Sequence, residues 1–150
     1  LPVWVSLTVQ DNDKGLLRSG ESLVDAVAML DEFNADAKLL NCSKPEAIAS
    51  SWSKMKSDEG LTGAYANGFT SIKALTPGAT VDNLTGRQDL SKKRYAEHVL
   101  KWLDLGATII GGCCEIGPEY IRYLRDELEN NGHHLVSARQ SGILTGTFNS

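Results

Sequence analysis

Cysteine is scarce in this 150-residue chain, with three residues, an odd number that makes a poor disulfide framework. That scarcity argues against a secreted, disulfide-stapled domain and for a reducing compartment, so the expected location is cytoplasmic. Long apolar runs are missing too: no stretch approaches the ~18 residues needed to span a bilayer. The opening Leu1-Pro2-Val3-Trp4 lacks the basic n-region of a signal peptide. Positive charge is not in excess, since 15 Lys and Arg face 19 Asp and Glu for a net charge of −4. There is thus no electrostatic case for nucleic acid or an anionic membrane surface as partner. Internal repeats and low-complexity tracts are absent. So is an initial methionine, and the chain starts directly on an apolar strand pattern, as a segment cut from a longer protein would. What is present is ordinary for a soluble domain with a sizeable core: 41% hydrophobic and 23% charged residues.

The pattern along the chain is strand then helix, four times over. Val3 to Thr8 is β-branched and aromatic, and Gln10-Asp11-Asn12-Asp13 ends it with turn formers. Ser22 opens a helix whose Leu23, Val27, Leu30 and Phe33 recur at helical spacing. Lys38 to Cys42 reads as a second strand, and Ser43 with Glu46 three residues on reads as a capping box for a second helix. Leu61 to Asn67 is a weaker third strand, and Phe69 to Arg87 a long loop over one end of the sheet. Ser91 to Leu105 predicts a third helix with Tyr95, Val99 and Trp102 on one face and Gly106 as its C-terminal glycine. Ala107 to Gly111 is strand four, and Pro118, at a first-turn position, opens a fourth helix running to Gly132. The core thus spans residues 2–132, and the tail 135–150 shows no clear element.

Alternating strands and helices imply an α/β fold of parallel strands joined by right-handed crossovers. Strands one and four are continuous apolar runs, which expect cover on both faces. A small open doubly wound sheet lacks its Gly-rich phosphate loop after strand one. The expectation is therefore a (β/α)8 TIM barrel of which residues 1–150 are about the last four β/α units, because a whole barrel needs ~250 residues.

On this topology Cys42 ends strand two and the adjacent Cys113 and Cys114 of "IIGGCC" end strand four, all at carboxyl ends, where barrels keep their active sites. Adjacent side chains in a strand point to opposite faces, so both thiols can reach one ion only if the chain leaves extended geometry. Gly111, Gly112 and Gly117 are expected to give that freedom. Three thiolates with no histidine nearby suit zinc and leave a fourth tetrahedral position open, the mark of a catalytic site. Competing readings are core packing of buried cysteines, a strained vicinal disulfide between Cys113 and Cys114, a dithiol redox centre using that pair, and a non-catalytic remnant that binds zinc or a thiol.

"GGCCEIGPEYIRYL" resembles the "GGCCGTGPEHI" signature of the zinc-dependent homocysteine S-methyltransferase family. "PVWVSLT", "GESLVDAVAML", "NCSKPEAI" and "AYANGF" are similar to that family's preceding blocks, in the same order, from Pro2 to about Leu124. The resemblance covers the second half of the family's barrel. It implies Cys42, Cys113 and Cys114 as ligands of Zn2+, with Asn67, the asparagine of the family's "YPN" pattern, as a further metal contact. It also implies a homocysteine methyltransferase of methionine biosynthesis, in which a zinc-bound thiolate attacks the methyl donor. The partners implied are homocysteine, a small methyl donor (S-methylmethionine, betaine or methyl-folate) and the missing N-terminal half of the barrel, without which the segment is expected to be inactive. A homo-oligomer is compatible with the reading. Two departures stand out: Glu115-Ile116 where the signature has Gly-Thr, and Ala66 with Phe69 within the "YPNSG" pattern.

The remaining polar residues have plainer readings. His133-His134 lie on a turn after the fourth helix, and His98 lies beside the apolar stripe of the third. Asp25, Glu46 and Glu119 occupy first helical turns, where the helix dipole favours acids. Trp4, Trp52 and Trp102 read as core or layer contacts, and Lys92-Lys93-Arg94 as a solvated helix start.

Overall fold

Strand formation is strongest where the chain is buried on both faces. The computed structural model describes residues 1–12, 14–55, 60–72 and 80–136. Its four strands are β1 (Trp4–Leu7), β2 (Ala37–Asn41), β3 (Leu61–Tyr65) and β4 (Ile109–Ile110). All pair in parallel in the sequential order β1-β2-β3-β4. A doubly wound sheet reverses its strand order and this one does not, so the arrangement is consistent with part of an α/β barrel. Among the described residues four helices alternate with the strands: α1 (Leu23–Glu32), α2 (Pro45–Ser51), α3 (Lys92–Asp104) and α4 (Pro118–Asn130).

Register assigns the two faces. Leu7, Leu40, Ala64 and Ile110 lie side by side and join the core cluster formed with the helices. Ser6, Leu39, Gly63 and Ile109 form the neighbouring rung on the opposite face. Toward the carboxyl end that face turns polar: Thr8 donates to Asn41 Oδ1 at 2.8 Å, and the Ser6 and Tyr65 hydroxyls share a short hydrogen bond. The central β2 is buried almost throughout, whereas β1 and β4 are only half-buried. The two-sided cover expected for the outer strands is therefore seen on the helical side alone. Lys38, within apolar β2, is fully buried and pairs with Asp31 on α1.

The helix boundaries follow their caps. Ser22 and Ser91 accept from the backbone N–H groups of Asp25 and Arg94, at 3.4 and 3.2 Å. Caps of this kind stabilise a helix by about 1 kcal/mol. Gly106 follows α3 at φ +103°, in the left-handed region where glycine is unstrained. The capping box expected at Ser43 does not form. Lys44 is the N-cap of α2 and makes no side-chain cap bond. The buried Ser43 hydroxyl instead accepts from Val9 N at 3.0 Å and donates to Asn41 O at 2.8 Å, locking the end of β1 to β2. Tyr95, Val99 and Trp102 line the buried face of α3 as the spacing predicts. Tyr95 meets Trp102 and Tyr120 edge-to-face, with 6.1 Å between centroids in both pairs. Such contacts add about 0.5–1.5 kcal/mol each beyond burial.

Strands three and four are shorter than the sequence pattern suggests, because β3 ends at Tyr65 and β4 occupies Ile109–Ile110 alone. Of the loop expected over Phe69 to Arg87, the described part holds a bridge between Phe69 and Gly86 and a 3-10 turn at Val81–Asn83, while 73–79 lie outside the described residues. Most of the 135–150 tail lies outside them as well.

Candidate metal centre

The residue following β2 is Cys42, held at φ +44°. A non-glycine residue there costs on the order of 1–3 kcal/mol and persists only where its surroundings fix it. Here they do: Cys42 N donates to Tyr65 O at 3.2 Å, and the fully buried Asn67 donates from Nδ2 to Cys42 O at 2.8 Å. Asn67 is itself fixed, its backbone N–H donating to Ser43 O at 3.1 Å and its Oδ1 accepting from Phe69 N at 3.0 Å.

The second arm runs on from β4. Cys113 N donates to Ala66 O at 2.9 Å, so the chain still follows β3 beyond the last regular pair. Gly68 N then donates to Cys114 O at 2.9 Å, and Ile116 N to Cys113 O at 3.1 Å closes the turn. The left-handed residue of this turn is Glu115, at φ +65°, not a glycine. The conformational freedom expected of Gly111, Gly112 and Gly117 is thus not what turns the chain. Gly112 is required for space instead, since a Cβ there would lie 2.3 Å from Ile116 Cγ2. The Gly111 carbonyl accepts from the Tyr95 hydroxyl at 2.7 Å, so α3 anchors the approach to the thiols. Tyr95→Phe leaves that carbonyl without its donor and should cost about 1–3 kcal/mol in urea unfolding of the intact protein. An unchanged midpoint and slope would mean that the bond contributes nothing.

Both arms converge. The Cys42, Cys113 and Cys114 sulphurs lie within 4.8 Å of one another, and the Cys113 and Cys114 Sγ atoms are 3.8 Å apart. Zinc–sulphur bonds of ~2.3 Å at tetrahedral angles separate sulphurs by ~3.8 Å, so this donor set fits zinc with little adjustment. All three are free thiols, which does not support the vicinal-disulfide reading. Among the described residues this is the one group of three or more His, Cys, Asp or Glu side chains close enough to share an ion. Hydrogen bonding from the Cys113 thiol lowers the Cys42 pKa to about 7, against the desolvation that opposes it. Cys113 is pushed up by that same bond and by burial, and Cys114 by burial and by the neighbouring Cys113.

His98 packs against Glu46, Nε2 to Oε1 3.6 Å, and His133 and His134 line a cavity of about 480 Å³ beside β4 together with Trp4, Ile109 and Leu128. None of the three histidines joins the sulphur cluster. Trp52 and Trp102 are core residues, whereas Trp4 is half-buried. Sequence reasoning missed the Ser43 and Tyr95 anchors, because a hydroxyl bonded to a distant carbonyl leaves no periodic trace. It also missed Arg87, whose side chain is nine-tenths buried between Glu46 and Asp89.

Comparison with known proteins matches residues 1–128 to the family model described as homocysteine S-methyltransferase. Similar relatives include homocysteine S-methyltransferase 1 of Arabidopsis thaliana, 28% identical over 130 residues, covering 86% of this chain and 38% of the relative. Homocysteine S-methyltransferase 4 of Zea mays is 29% identical over 127 residues, covering 81% of this chain and 34% of the relative. Homocysteine S-methyltransferase 1 of Zea mays is 27% identical over 144 residues, covering 89% and 40%. The chain spans about two fifths of the length of these relatives.

Proposed function

This chain belongs to the homocysteine S-methyltransferase family, and from that premise we propose that its three cysteines hold zinc in a protein that methylates homocysteine to methionine. The observation that carries the reading is the convergence of Cys42 with Cys113 and Cys114 at the carboxyl end of a parallel sheet. Three soft thiolates match zinc and leave a fourth tetrahedral position for a substrate atom. Zinc bound there would act as a Lewis acid that lowers the pKa of a substrate thiol, ordinarily near ~8.5, into the thiolate range.

The chain's own residues account for the rest. Three cysteinate charges outweigh a divalent cation, so the site is electron-rich and keeps an incoming sulphur nucleophilic. Asn67 and the Tyr65 carbonyl fix Cys42, while Ala66, Gly68 and Tyr95 fix the second arm. The polar rung of Thr8, Asn41 and Tyr65 lies at the carboxyl ends of β1, β2 and β3, the same end of the sheet as the thiols, where the polar end of an amino-acid substrate would be bound. A neutral thioether product gains little from an anionic sulphur cluster, which favours its departure. The thiol proton would pass to solvent on ionisation, and the sulphur–methyl bond would form as the donor's bond to that methyl breaks and the demethylated donor leaves, so no residue need serve as general base.

In this reading the four β/α units are the last four of an eight-unit barrel, and an N-terminal half supplies the remaining contacts. The parallel, sequential strand order and the greater length of the relatives support that placement. The methyl donor is of the S-methylmethionine, betaine or methyl-folate kind. The test is methionine formation by the intact protein from homocysteine and each donor in turn. Zinc-loaded protein that yields no methionine with any of them would refute the activity.

We further propose Asn67 as a contact of the resting centre. Its Nδ2 lies 3.9 Å from Cys42 Sγ, close enough to bias the sulphur without replacing a thiolate. Asn67→Ala should therefore slow turnover while zinc stays near one per chain. Zinc loss as complete as in a cysteine variant would promote Asn67 to an essential ligand.

A further inference from the structure

The two arms of the sulphur cluster come from different strands, so something must hold β2's end against β4's. One tie runs through the segment after β3, where Asn67 donates its amide to the Cys42 carbonyl and the neighbouring Ala66 carbonyl accepts from Cys113 N. A second runs through Arg87. Its backbone N–H donates to Gly68 O at 2.7 Å, and Gly68 N donates in turn to Cys114 O at 2.9 Å. Its guanidinium donates from Nη1 to Glu46 Oε2 at 2.8 Å, and from Nε and Nη2 to the two Asp89 oxygens at 3.0 and 2.7 Å. Glu46 stands in the first turn of α2, four residues after Cys42. Arg87 thus reaches the Cys114 turn through Gly68 with its backbone, and the helix that follows Cys42 with its side chain.

We propose that Arg87 is a positioning residue for the metal centre, a clamp that keeps the Cys42 arm closed on the Cys113–Cys114 arm and so governs how long zinc stays bound. The proposal rests on the zinc reading above. Arginine suits the task because its planar fork binds one carboxylate through two nitrogens and keeps a third nitrogen for another acid. Burial alone would raise the Glu46 carboxyl, but the Arg87 guanidinium outweighs it and holds Glu46 below its ordinary value. Asp89 is pushed down to about 2 by the same guanidinium. The clamp is therefore fully ionised at neutral pH. Residues that orient metal ligands without touching the metal commonly change metal affinity by roughly 10–100-fold.

The experiment measures zinc release from the intact protein to an excess of chelator, alongside thermal unfolding. Arg87→Ala and Glu46→Gln should each speed release about tenfold. Arg87→Lys should fall close to Arg87→Ala, because a single ammonium cannot span both acids. Arg125→Ala, which removes an exposed pair with Asp126, should release zinc at the wild-type rate. If Arg87→Ala does not fold, Glu46→Gln decides alone. Wild-type release rates in the folded clamp variants, with zinc bound and only the melting temperature lowered, would overturn the clamp and leave the zinc reading standing. A wild-type protein that binds no zinc would overturn the reading on which the clamp depends.

Discussion

Replacing Cys42, Cys113 or Cys114 singly with serine should strip most of the zinc from the intact protein and abolish methyl transfer. Each substitution exchanges a soft thiolate for a hydroxyl that stays protonated at neutral pH and binds zinc far more weakly. Two thiolates then remain where three converge within 4.8 Å. The loss should exceed the roughly 10–100-fold typical of removing a residue that only orients a ligand. Cys42→Ser is the sharpest of the three, because Cys42 occupies a left-handed backbone position that packing alone gives no reason to strain. Metal analysis and methionine formation, measured on the same preparation, check the expectation. Full zinc and full activity in Cys42→Ser would return that residue to the core-packing reading.

The second large effect concerns residues 1–150 expressed alone, and it tests the half-barrel proposal. Among the described residues β1 and β4 each pair on one side only, and both are half-buried. Beside β4 lies the cavity of about 480 Å³, whose lining includes Ile121, Leu135 and Val136, all exposed. Unpaired strand edges next to apolar surface are templates for association. The segment alone should therefore aggregate, pair with a second copy, or be rescued by co-expression with the N-terminal half. Light scattering and urea unfolding decide the matter. A soluble monomer with one cooperative transition would show that these four units suffice, and the half-barrel proposal would fail.

The sequence carried the order of elements well, because each depends on local signals: β-branched runs for the strands, Ser22 and Ser91 as caps, Pro118 at a first turn and Gly106 at a C-terminus. The three thiols were legible for the same reason, each at the carboxyl end of a recognisable apolar run. Less legible was whatever depends on long-range contact. Ser43 looks like a cap locally, yet Val9, distant in sequence, claims its hydroxyl. The glycines before the cysteines suggest freedom, yet the turn is made by Glu115 and Gly112 is needed for Ile116. Arg87 sits in an unremarkable "GRQDL", and only the folded chain brings Glu46 to it. Lys38 in an apolar strand gave no hint of its Asp31 partner beyond the cost of burying it alone.

The most direct test of the central claim, that Cys42, Cys113 and Cys114 together form a zinc site, is the metal content of the intact protein purified without chelator, followed by exchange for cobalt. About one zinc per chain is expected, and the cobalt form should show the intense near-ultraviolet absorption of thiolate-to-metal charge transfer with tetrahedral visible bands. Protein that is folded, fully reduced and free of zinc, and that takes up no cobalt with those bands, would contradict the account.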